Sequence, residues 1–199
     1  LSKPALFGGL LFDMRCRFHH GKRTRREESV SANDNTAEQG TFVITRSFEA
    51  PRDRVFDAFT NPEEMKKWWG PKGFTVIASK MDLRPGGTYH YGMRAPDGSA
   101  MWGKFVYREI VRPERIVLVN SFSDEACGIT RHPLSPTWPL EMLSTFRFDD
   151  EGGRTRLTVQ WSLMEATEAE RETFEKGRES MKQGWTGTMD QFADYLAKT

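Results

Sequence analysis

Four tight-turn signals separate short stretches of alternating apolar and polar residues, and they limit what this chain can fold into. Arg84-Pro85-Gly86-Gly87, Ala95-Pro96-Asp97-Gly98, Arg112-Pro113-Glu114 and the run DDEGG at 149–153 all combine residues that fix or free the backbone where it must reverse. Between them lie segments rich in β-branched and aromatic residues, at 74–83, 88–94, 101–111, 115–123, 140–148 and 155–163. Connections this short join antiparallel neighbours, so the spacing predicts a meander. One further strand, TFVITRSFEA at 41–50, precedes them, and a long polar loop, 124–139, interrupts them.

Two short helices fall between the first strand and the rest. Pro51 opens PRDRVFDAF, where Val55, Phe56 and Phe59 follow helical spacing. Asn61-Pro62-Glu63-Glu64 reads as a helix start, with Asn as N-cap, Pro at the first helical position and acids at the positive end of the dipole. Gly70-Pro71 stops that helix, leaving Trp68 and Trp69 on its last turn. Adjacent helical side chains point about 100° apart, so the two indoles cannot share one pocket.

The period changes after residue 165. Thr167-x-x-Glu170 is a capping box, and Phe174, Met181, Trp185, Thr188, Phe192 and Leu196 then recur on one helical face. The expectation is a single helix over 168–197. The order is strand, two short helices, six strands and one long helix, an α+β chain with that helix covering one side of the sheet. Gly177, Gly184 and Gly187 interrupt the helix, each costing about 1 kcal/mol against Ala. Either the backbone approaches the sheet closely there, or space is left for a ligand beside Met181 and Trp185.

The alternation assigns faces to the strands. Tyr89, Tyr91 and Met93 share one, as do Phe105 and Tyr107; Ile116, Leu118, Asn120 and Phe122 form a third inward set, and Leu157, Val159, Trp161 and Leu163 a fourth. Polar tips of Tyr, Trp and Asn converging in an apolar concavity are what a small-molecule site requires. The same residues also fit an ordinary aromatic core. His90, between two inward tyrosines, faces outward. His132 lies in the long loop beside Arg131 and near Trp138, and is the one weak candidate for a general base.

Composition excludes other classes. The chain carries 29 basic and 28 acidic residues, and residues 1–40 hold seven of the former and five of the latter, so the remainder is slightly acidic and offers no general case for nucleic acid. No apolar run reaches the roughly 18 residues of a membrane span. Cys16 and Cys127 fit neither a disulfide framework nor a zinc spacing, which favours a reducing cytoplasm and gives no expectation of a metal or cofactor. Phosphate-binding, dinucleotide-binding and nucleophile-elbow motifs are missing. Residues 1–39 read as a disordered leader or as translated upstream sequence, with a start near Met14 or Val30, and residues 40–199 as the folded domain.

The stretch FEAPRDRVFDAFTNPEEMKKWWGPKGFT resembles the opening motif of the START-like (SRPBCC) superfamily, in the branch of heat-shock-protein-90 ATPase activator homologues. RPGGTYHYGMRAPDG, YREIVRPERIVLVNSF and SMKQGWTGTMDQFADYL continue the likeness in the same order, over about residues 41–197. The resemblance implies a helix-grip fold, in which a curved antiparallel sheet wraps the C-terminal helix around an apolar cavity. It implies binding of a small hydrophobic or aromatic ligand. Its alternatives are a cyclase- or aromatase-like enzyme and a co-chaperone role with a chaperone partner. Residues expected to meet such a ligand are Trp69, Tyr89, Tyr91, Met93, Phe105 and Tyr107, then Asn120, Phe122, Trp138, Trp161, Met181 and Trp185. Trp68 would then anchor the short helix on the core.

Overall fold

The computed structural model describes residues 40–199, and the expected leader over 1–39 lies outside them. The chain runs β1 (Thr41–Phe48), α1 (Arg52–Thr60), α2 (Pro62–Trp68), β2 (Thr75–Met81), β3 (Thr88–Arg94), β4 (Ala100–Val111) and β5 (Arg115–Ser123). It continues through β6 (Ile129–Thr130), β7 (Met142–Asp150), β8 (Thr155–Leu163), α3 (Glu168–Lys176) and α4 (Arg178–Leu196). The order expected from the turn chemistry holds, and β3, β5 and β8 have the expected limits.

All pairings are antiparallel, in the order β1-β8-β7-β5-β4-β3-β2, with β6 added beside the end of β5. Strands β1 and β2 are consecutive in sequence yet stand at opposite edges. The α1–α2 pair therefore crosses the sheet, touching β7 through α1 and β2 through α2. Asn61 caps α2 as the sequence predicts, its side-chain oxygen accepting from the backbone N–H of Glu63 and Glu64. Thr167 and Glu170 close a reciprocal capping box on α3.

Two elements differ from the sequence expectation. Strand β6 forms inside the loop read as irregular, pairing Phe122 with Thr130 and Ser123 with Ile129. The terminal helix is divided at Gly177, which ends α3 and starts α4. The cause lies in tertiary packing: a Cβ at Gly177 would stand 2.9 Å from Cζ3 of Trp138 and 3.2 Å from the carbonyl of Thr173. A glycine there lets the Trp138 ring pass against the helix backbone.

Along α4 the packing has two regimes. Phe192, near its C-terminal end, sits in a dense aromatic cluster, with ring centroids 4.2 Å from Trp68, 4.8 Å from Phe59 and 5.0 Å from Phe48. Edge-to-face and tilted contacts at these separations are favourable, and they fix α4 against α1, α2 and β1. The N-terminal half, which carries Met181, Gly184 and Trp185, instead meets open space.

Candidate ligand-binding cavity

That space is a cavity of about 240 Å³ between the first half of α4 and the inner face of the sheet. It exceeds what a few waters occupy, since a water's share of liquid volume is about 30 Å³. Its walls come from the α2 end, β3, β4, β5, β7, β8, the β5–β7 loop and α4. Gly184 opens it from the helix side, because a Cβ at that position would have nothing within 4 Å. Of the two readings of the helical glycines, open space applies at Gly184, whereas at Gly177 the close neighbour is the Trp138 ring of the loop and not the sheet.

The last turn of α2 separates the two tryptophans. Trp68 is 2% exposed, its indole N–H donates to the carbonyl of Ala58 at 3.2 Å, and its ring packs on Phe59 and Phe192. Trp69, the C-cap residue, leaves helical geometry at ψ 134° and turns into the cavity wall. There it meets Tyr91, Phe105 and Trp185 at nearly perpendicular angles, with centroids 5.8, 5.6 and 5.9 Å away. Gly70 makes this turn possible. Its φ of +109° is a region side chains rarely adopt, and its carbonyl accepts from Thr188 and Gln191 of α4.

Of the residues expected at a ligand site, Trp69, Tyr91, Met93, Phe105, Asn120 and Phe122 line the cavity, as do His132, Trp138, Trp161, Met181 and Trp185. Tyr89 and Tyr107 do not. They share the inward face with Tyr91 and Phe105 but lie one pleat further along β3 and β4, where the interior is solid. The Tyr89 hydroxyl accepts from Ser79, and burial pushes its pKa up to about 12. Burial raises the Tyr107 phenol as well. His90 faces outward as expected, stacked on Trp102 and bonded through Nε2 to the carbonyl of Asp124 at 3.0 Å.

Met142, Ser144 and Phe146 of β7 are lining residues that sequence reasoning missed. Their two-residue spacing was legible, but Ser144 interrupts the apolar pattern. It is fully buried and donates to Oδ1 of Asn120 at 2.6 Å, so two polar side chains satisfy each other on the wall.

The β5–β7 loop is fastened over this region. Arg131 pairs with Glu170 and donates to the carbonyl of Trp138 at 3.1 Å, and the hydroxyls of Thr137 and Thr173 lie 2.9 Å apart. The Arg131 guanidinium, helped by the Thr167 N–H, holds the Glu170 carboxyl down to about 2. The loop thereby presents Trp138 and His132. The backbone N–H of Leu134 donates to His132 Nδ1 at 3.0 Å, which requires the proton to sit on Nε2. Burial lowers the pKa of this imidazole, so it stays neutral. Its Nδ1 is engaged as an acceptor by the Leu134 amide.

The lining contains no Asp, Glu, Lys, Arg or Cys among the described residues. Tyr91 is held protonated by burial, with its pKa raised further by Tyr89. A wall of this composition can enclose, orient and desolvate an uncharged molecule.

No helix among the described residues is long and apolar enough to cross a membrane. A comparison with curated proteins found no match. Among solved structures, the chain is similar to protein Ms6760 of Mycobacterium smegmatis, at 25% identity over 83% of this chain and 96% of that one, with a TM-score of 0.67. A protein from Arthrobacter aurescens shares the fold at 24% identity, 83% and 91% coverage and a TM-score of 0.69. The AHSA1 protein of Silicibacter pomeroyi does so at 18% identity, 79% and 97% coverage and a TM-score of 0.61. The family model described as activator of Hsp90 ATPase homolog 1-like protein matches residues 49–197. With that match across most of its length and the helix-grip architecture, the chain belongs to the activator of Hsp90 ATPase homolog 1-like family, a branch of the START-like superfamily.

Proposed function

We propose that this protein binds a small, uncharged hydrophobic or aromatic molecule in the cavity between the sheet and α4. The observation that carries the reading is a space of about 240 Å³ walled by aromatic and thioether side chains and free of formal charge. Ligand pockets are concave, largely apolar and furnished with a few polar groups, and sizes of roughly 300–1,000 Å³ are usual. This one falls just below that range, so the guest is on the scale of one or two rings. A charged guest would be desolvated with no counter-charge to receive it. The two cysteines, which fit no disulfide framework, favour a reducing cytoplasm as its compartment.

Gly184→Leu provides the test. The new side chain grows into open space from a helix position that tolerates it, so the fold is kept while the cavity is filled. Naphthalene-sized neutral aromatics, read by tryptophan fluorescence and by native mass spectrometry, bind saturably to the parent chain and not to Gly184→Leu. Absence of saturable binding to the folded parent chain, or equal binding to the variant, would overturn the proposal.

A further inference from the structure

A carboxamide stands on the sheet side of the cavity, near the middle of the sheet. Asn120 lies on β5, the central strand of the path β1-β8-β7-β5-β4-β3-β2. Its neighbours across the sheet are Phe105 of β4 and Met142 of β7, and both line the cavity with it. Phe122, two residues on, lines the cavity too, whereas Leu118, two residues back, is 2% exposed and belongs to the solid core. Asn120 therefore stands where the open space meets that core. It is only half-buried although it lies on the inner face, so the part of it left exposed faces the cavity.

One bond orients this amide. The Ser144 hydroxyl donates to Asn120 Oδ1 at 2.6 Å, which draws the oxygen toward β7 and leaves the two hydrogens of Nδ2 on the other side. Nδ2 has no acceptor among the described residues, and it is not sealed in the core as the indole nitrogens of Trp69 and Trp185 are. A polar side chain at this place costs free energy that an apolar one would not, unless something takes up its hydrogens. The cavity thus holds an uncharged donor of fixed orientation, set beside aromatic rings and a thioether.

We infer that Asn120 is a recognition residue of the cavity: its Nδ2 donates to a neutral acceptor, such as a ketone oxygen, on a ring-bearing guest, and Ser144 positions the amide to do so. The inference rests on the proposal that the cavity binds a hydrophobic guest, and adds the functional group by which that guest is oriented. A carboxylate would meet this donor with no cation to receive its charge, so a neutral acceptor fits better. A pure hydrocarbon fills the same volume and leaves Nδ2 without a partner.

1-Tetralone and tetralin form the test pair, because they share a fused two-ring skeleton and differ by a carbonyl against a methylene. Their dissociation constants are measured by calorimetry on the full 199-residue chain and on the double variant Asn120→Leu/Ser144→Ala. The double change keeps a branched side chain at 120 and leaves no unpaired hydroxyl at 144. Taking the ratio of ketone to hydrocarbon in each protein cancels the stronger hydration of the ketone and any change in cavity size. The affinity of tetralone relative to tetralin is expected to fall about 10-fold in the variant, the scale of a buried acceptor left unpaired. In the parent chain labelled with ¹⁵N-asparagine, tetralone shifts the Asn120 Nδ2 resonances downfield and tetralin does not. The other asparagines are Asn33, Asn35 and Asn61, so the spectrum is sparse, and the signals are assigned through their correlations to the backbone. If the variant does not fold, these resonances in the parent chain decide by themselves. An unchanged ratio, or Asn120 resonances that tetralone moves no more than tetralin, overturns the inference and leaves cavity binding standing. Failure of both compounds to bind removes the binding proposal and the inference together.

Discussion

Arg131 and Glu170 join the loop between β5 and β7 to the first turn of α3, and the same carboxylate closes the capping box with Thr167. One side chain therefore sets both the start of a helix and the position of the segment that brings His132 and Trp138 to the cavity. The free carboxyl of a glutamate titrates near 4.5, and here it is held at about 2. Between those values the unfolded chain binds a proton that the folded chain does not, so stability rises with pH across the window. The contribution is complete above about pH 4.5 and is lost as pH falls through about 2. Urea midpoints of the parent chain and Glu170→Gln, compared from pH 2 to 6, should show a steeper acid loss in the parent. Parallel curves would show that the ion pair contributes nothing to the fold.

The terminal glycines should respond with opposite signs. Gly184→Ala and Gly187→Ala add a methyl group to helix positions with nothing within 4 Å, and each should stabilise by about 0.5–1 kcal/mol. Gly177→Ala falls at the break between α3 and α4, where the helix-interior preference does not apply, and meets the buried edge of Trp138, so it should destabilise by about 1–3 kcal/mol. Chemical denaturation of the three variants separates packing from propensity. A stabilised Gly177→Ala would show that Trp138 can move aside freely.

Replacing the adjacent tryptophans should not cost the same. Trp68→Phe removes the donor to Ala58 and leaves that carbonyl unpaired in a dense cluster, a loss of about 2 kcal/mol or more. Trp69→Phe deletes a donor that has no acceptor, so the gain from removing it offsets part of the lost packing, and the net change should stay below about 1 kcal/mol. Equal losses on denaturation would mean that the Trp69 N–H is satisfied in solution.

His132 should titrate below its ordinary 6.5, since burial disfavours the imidazolium. Its neutral form belongs to the fold, so its contribution to stability is present above about pH 6.5 and is lost as pH falls through the lowered folded value. Protonation places a hydrogen on Nδ1 and breaks the bond from Leu134. The Leu134 amide resonance should therefore move with the His132 ring signals and with the same midpoint. Independent midpoints would place the imidazole in a different tautomer.

Much of this fold could be read from local chemistry. The four turns, the Asn61 cap and the Thr167–Glu170 box are decided by residues within a few positions of one another, and they gave the element order and most limits. Side-chain alternation also gave the inward faces, but a face is not a depth: nothing local distinguishes Tyr91, at the cavity, from Tyr89, one pleat away in solid core. The β7 wall was hidden because Ser144 looks like a break in an apolar pattern until Asn120 is seen to satisfy it. The division at Gly177 was hidden too, since its cause is a ring delivered by a distant loop. Whether an indole N–H finds an acceptor is likewise a property of the assembled interior, as Trp68 and Trp69 show from adjacent positions.

Position 184 sits on a well-anchored helix, faces the cavity and bears only a hydrogen where a side chain has room to grow. Stepping that residue from hydrogen to methyl to isobutyl would reduce the enclosed space by degrees from a single codon, with the strands and their register untouched. In this architecture, the size of the cavity can be changed without remodelling the sheet.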